Sequence, residues 1–140
     1  MSKTKNEVLG ELYTLLHTAI PSLKWHDGTS FDSESSLEVI MIDSATQYNA
    51  EFGMSTQAPV EVGVNLDFIV YAKGSGSLAT VRSTFGTIYS TIGSNIDTIY
   101  SWNNTLQLRK TEEQINPEVG EFKFTTGQCS IQLKLIERNL

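Results

Sequence analysis

The stretch Gly74-Ser75-Gly76-Ser77-Leu78-Ala79 comes nearest to a chemical motif. It matches a relaxed G-x-G-x-x-A dinucleotide fingerprint, follows a strand pattern and opens a helical one, with Asp97 about 20 residues further on. Such a fingerprint acts in a parallel sheet that is buried on both faces. Here the preceding strand alternates, and no further helical crossovers exist to build βαβ units. Asp97 falls in an Asn/Asp/Ser segment that suits a turn or a helix start. A small nucleotide-binding enzyme using Gly74, Gly76 and Ala79 is therefore the competing reading, and a tight turn the preferred one.

The remaining reactive side chains do not form a constellation. His17 lies on the polar side of a helix and His26 in a turn, with no Cys or carboxylate at a recognisable ligand spacing, so surface or capping roles are expected. Asp32, Glu34, Glu38 and Asp43 cluster without the glycine and ligand pattern of a calcium loop and read as solvated. No G-x-S-x-G elbow, P-loop or Cys/His nucleophile arrangement is present. Cys129 falls on the apolar face of a strand, where a small hydrophobe is expected. Arg82, Arg109 and Lys110 can meet phosphate or a partner's carboxylates but are too few for nucleic-acid readout. No catalytic, cofactor-binding or metal-binding residue is expected, and no enzyme.

The chain of 140 residues fits one domain spanning 1–140. Its 10 Lys+Arg against 16 Asp+Glu give a net charge of -6, which opposes a protein that wraps duplex DNA but not one that DNA merely passes. No apolar run is long enough to span a bilayer, and the start lacks a continuous apolar signal region. A single cysteine rules out an internal disulfide and fits a reducing cytoplasm, so the sequon Asn103-Asn104-Thr105 reads as accidental.

These residues must be carried by a core, and its centre is Val60 to Lys73. Val60, Val62, Val64, Leu66, Phe68 and Val70 occupy every second position and predict one buried strand face; Glu61, Gly63, Asn65, Asp67, Ile69 and Tyr71 face the other way. Leu78, Val81, Phe85, Ile88 and Ile92 then form a helical apolar stripe. Beside it runs a stripe of small residues, Ala79, Ser83, Gly86, Ser90 and Gly93, and beyond that Thr80, Thr84, Thr87 and Thr91. The small stripe fits either a helix lying flat on its own sheet or close contact with a neighbouring subunit. Val8, Leu9, Leu12, Leu15, Leu16, Ala19 and Ile20 predict a first helix capped by Ser2 or Thr4 and ended by Pro21.

Leu23 to Trp25 suits a short edge strand, Leu37 to Ile42 a central strand, and Asn95 to Trp102 one helical turn. Thr105 to Gln114 reads as a strand, and Cys129 to Leu135 as a closing one. Two polar arms are expected, near 44–59, where Tyr48 and Phe52 begin a hairpin, and near 111–120. The expected fold is α+β: two helices on a mainly antiparallel, mixed sheet in the order α-β-β-α-β-β.

Taken in order, the helix ending Ile20-Pro21-Ser22-Leu23, the strand Leu37-Glu38-Val39-Ile40-Met41-Ile42, the polar arm, Val62 to Tyr71, the helix Leu78 to Ile92 and the strand Gln128 to Leu135 together resemble the tail terminator, or tail completion, proteins of long-tailed bacteriophages, typified by that of phage lambda. The resemblance is one of order and size over the whole chain, without an invariant motif. It implies a homo-oligomer, usually a hexameric ring, that caps the finished tail tube and joins it to the head-tail connector. It places the chain in the virion, in the tail or neck, after assembly in the host cytoplasm. DNA would pass through the lumen without specific binding, with no cofactor and no membrane. Tyr48, Phe52, Ser83, Gly86, Ser90, Arg109 and Lys110 are the candidate subunit or partner contacts. A head-tail adaptor or stopper is the neighbouring alternative, and a cytosolic module with a ligand pocket between sheet and helices a further one.

Overall fold

The computed structural model describes residues 2–25, 36–49, 59–117 and 124–138. Their order is α1 (Lys5–Ala19), β1 (Leu23–Trp25), β2 (Leu37–Asn49), β3 (Pro59–Lys73), α2 (Ser77–Ser94), α3 (Ile96–Trp102), β4 (Gln107–Pro117) and β5 (Phe124–Arg138). The fold is α+β, but with three helices and five strands rather than the α-β-β-α-β-β order expected. The difference lies in the two shortest elements: β1 has three residues and α3 seven. Neither is long enough to show a period.

The strands form one sheet in the order β1-β2-β3-β5-β4. Only the β1·β2 pair is parallel. β3 runs through the middle, between β2 and β5, and its even positions from Val60 to Ala72 are all buried. Their register partners Cys129, Ile131, Leu133 and Leu135 on β5, and Val39 and Met41 on β2, continue the same face. Onto it pack Val8, Leu9, Leu12 and Leu16 of α1 and Val81, Phe85, Ile88 and Ile92 of α2. α1 and α2 thus cover one side of the sheet, and Ile99 of α3 joins the same core.

Local chemistry sets the ends of these elements. Thr4 and Glu7 form a reciprocal capping box at the start of α1, satisfying two N–H groups that a helix start leaves orphaned. Gly74 and Gly76 have φ of 100° and 81°, a left-handed backbone that side chains disfavour, and so turn β3 sharply into α2. Within α2, the hydroxyls of Thr80, Thr84 and Thr87 bond back to carbonyls four residues earlier, which masks their polarity on a helix of modest propensity.

Both expected arms begin as strand. Residues 45–49 of β2 pair with Asn65 to Glu61 of β3, beyond a bulge between Asp43 and Ala45. Residues 112–117 of β4 pair with β5, beyond a bulge between Lys110 and Glu112. The rest of each arm, including Phe52, lies outside the described residues. No helix of the described residues is long and apolar enough to cross a membrane.

Candidate functional site

The glycine turn is built as a turn. β3, which leads into it, has antiparallel neighbours on both sides, and α2 and α3 return to β4, which is also antiparallel to its neighbour. β3 and β4 run the same way, but β5 lies between them, antiparallel to both, so the crossover through α2 and α3 does not set two parallel strands side by side as a dinucleotide fingerprint requires. Ser77, at the mouth of α2, is buried and shares a hydrogen bond of 2.7 Å with the Thr125 hydroxyl, which ties the helix start to β5.

The other reactive groups are also held in structural contacts. His17 stacks on Tyr13 at 5.5 Å, with its Nδ1 3.1 Å from the Leu23 carbonyl oxygen. His26, Asp32 and Glu34 lie outside the described residues. Glu38, expected to be solvated, is only 2% exposed and forms an ion pair with Lys24 of β1, across the parallel pair that sequence periodicity could not register. No group of three or more His, Cys, Asp or Glu among the described residues is placed to hold a metal ion. A cleft of about 620 Å³ lies between the N-terminal residues and the ends of β3 and β5. Its carboxylates Glu7 and Glu137 are engaged by the backbone N–H groups of Thr4 and Lys5, so they hold the start of α1.

Cys129 is buried under α2, and burial pushes its thiol up to about 12. A thiol that titrates higher in the native state supports the fold below its usual range of about 8.5, and that support is lost as pH rises towards the native value. Iodoacetamide at pH 8 should leave the folded chain unmodified and label Cys129 once denaturant is added.

Asn103 has a role that the sequon pattern hides. Its buried amide donates to the Lys3 and Ile136 carbonyls at 2.9 and 3.1 Å, while its Oδ1 accepts from the Thr105 N–H at 2.9 Å. One side chain thereby ties the N-terminal residues, the α3–β4 turn and β5 together. Asn103→Ala removes these three part-buried hydrogen bonds and should cost about 2 kcal/mol in denaturant unfolding.

Surfaces remain, and two are strand edges. β4 has β5 on one side and no strand on the other among the described residues. β1 covers β2 only at Val39, Ile40 and Met41, which leaves the outer edge of β2 from Asp43 to Asn49 without a strand partner among the described residues. Tyr48 stands on that edge, 55% exposed. Arg109 and Lys110 stand on β4: Arg109 donates to Gln132 Oε1 at 2.7 Å, and Lys110 lies 4.2 Å over the Tyr89 ring. Ser83, Gly86 and Ser90 occupy the exposed side of α2, so the small stripe does not contact the chain's own sheet. The structure thus separates the candidate contacts into two edges and one helix face.

Beside β4, on the helical side, Tyr89, Ile92 and Ile96 with Leu108 and Lys110 line a groove of about 150 Å³. The Tyr89 hydroxyl is enclosed there, with no hydrogen-bond partner among the described residues. Burial, then the neighbouring Cys129 and Glu113, hold its pKa well above the usual tyrosine value. The one sequence signal for this groove is Tyr89, standing four residues past Phe85 on the helical stripe.

No family model matches the chain, and no curated protein matches it.

Proposed function

We propose that this chain is a structural virion protein that joins copies of itself edge to edge into a ring, capping the tail tube of a long-tailed bacteriophage and linking it to the head-tail connector. The observation that supports this reading is the pair of open edges at opposite sides of one sheet, β4 and the outer half of β2. Following the antiparallel pairs across the sheet, β4 runs opposite to β2. A second copy placed alongside in the same orientation therefore offers its β2 edge to β4 as an antiparallel partner, the heterologous contact from which rings close. A six-fold ring is the closure that the resemblance to tail terminators implies.

Tyr48 on one edge and Arg109 and Lys110 on the other are the contact residues of this join. Ser83, Gly86 and Ser90 present a low-relief helix face to a further partner. The net charge of -6 suits a lumen through which DNA slides without adhering. The chain works in the tail or neck after assembly in the host cytoplasm. It needs no reaction centre for this role.

The test is loss and restoration of joining. With the gene disrupted in the encoding genome, heads and tails should accumulate unjoined, and purified chain added to the extract should restore complete particles. Complete particles formed without the chain would overturn the reading.

A further inference from the structure

The β4 edge, which the ring contact also uses, carries a pattern complementary to itself. Leu108, Lys110, Glu113 and Ile115 are in register with Leu133, Ile131, Cys129 and Gly127 and so lie on the helical side of the sheet. Arg109 and Gln114, in register with Gln132 and Gln128, lie on the open side. The bulge between Lys110 and Glu112 produces this arrangement by shifting the alternation once. When β4 is set antiparallel to a second β4 with Lys110 opposite the other copy's Glu113, Leu108 falls opposite Ile115 and Arg109 opposite Gln114. Each pair occurs twice, and each places both members on the same face of the joined sheet. Lys110 and Glu113 are exposed, and neither makes an ion pair among the described residues.

The groove beside β4 fits the same register. Its apolar wall of Tyr89, Ile92, Ile96 and Leu108 borders the position that the second copy's Ile115 would take, and Lys110 stands at the position facing the second copy's Glu113. Leu108 and Ile115 are both half-buried in the single chain and would be covered further. A shifted register with Leu108 opposite Glu113 would set a carboxylate against that wall, which disfavours slippage.

We infer that the free chain pairs with a second copy of itself through β4, about a two-fold axis, with Lys110 against Glu113 and Ile115 seated by the Tyr89–Leu108 groove. The pair extends the sheet across both copies and leaves neither β4 open. It thus protects an edge strand of 11 residues that would otherwise be a template for aggregation. A two-fold contact closes on itself, so this pair is a resting form from which ring assembly must release β4. The inference rests on the chain's own edge and groove, and it stands or falls separately from the tail function.

Sedimentation equilibrium of the purified chain over a wide concentration range tests it. The wild type should sediment as two copies. Lys110→Glu and Glu113→Lys should each weaken pairing at least about tenfold, because each leaves two like-charge contacts in the dimer. The double exchange, which restores opposite charges in the same register, should return the dissociation constant to within a few-fold of wild type. Circular dichroism should show all three variants folded, since both side chains are exposed. A wild type that sediments as a single copy throughout, or as a larger ring, overturns the inference. So does a double exchange that remains as dissociated as the single variants. If the wild type is a single copy and the purified chain still restores head-tail joining, the resting pair alone is refuted.

Discussion

Phe68→Ala should lower the unfolding free energy by about 3–5 kcal/mol, the range for removing a buried phenylalanine whose surroundings relax only in part. Phe68 is fully enclosed at the middle of β3, with Met41 of β2 and Cys129 of β5 beside it in register. Its position makes it common to both halves of the sheet and to the helical layer above. In a chain of this size the loss should lower the melting temperature by roughly 10 °C or more. Ile69, the next residue, is half-buried on the open face, and Ile69→Ala should cost roughly 1 kcal/mol through its smaller burial. Thermal unfolding of the two variants measures this contrast. Equal losses would show that the two faces of β3 are buried alike, contrary to a core on one side of the sheet.

Gly127→Val should cost about 3 kcal/mol, from overpacking rather than from a cavity. A Cβ at Gly127 would lie 2.6 Å from Val81 Cγ1 and 2.8 Å from Phe85 Cζ, both buried side chains of α2. The glycine lets α2 approach the end of β5, and a branched side chain would drive the helix off the sheet. Gly86 is the counter-example on the same helix. It faces open space, and Gly86→Ala should stabilise the free chain by about 0.5–1 kcal/mol through helix propensity. Denaturant unfolding of both variants should therefore give shifts of opposite sign.

The alternation from Val60 to Val70 was legible because one face of β3 is covered and the other is not. The stripe of Val81, Phe85, Ile88 and Ile92 was legible because α2 packs on the sheet along a single line. The outer half of β2 and the far part of β4 look like polar arms in the sequence because edge strands with both faces exposed have no alternation to display. Glu38 was misplaced because its burial depends on the parallel neighbour β1, and pairing between short segments leaves no trace in either one's pattern. The self-complementarity of β4 was hidden for a different reason. It becomes regular only once the bulge between Lys110 and Glu112 is known, and a bulge in a polar strand has no glycine or proline here to announce it. Charge alone marks Arg109 and Lys110 in the sequence, and the structure adds that they stand on an open edge.

The proposed role requires this chain to join copies of itself edge to edge into a closed ring. The most direct measurement is electron cryomicroscopy of the purified chain bound to tubes assembled from the tail tube protein of the same genome. The predicted result is one closed ring at a tube end, six copies around the axis, with β4 of each copy paired antiparallel to the outer edge of the next copy's β2. Bare tube ends, or isolated copies that touch the tube without touching one another, would contradict it.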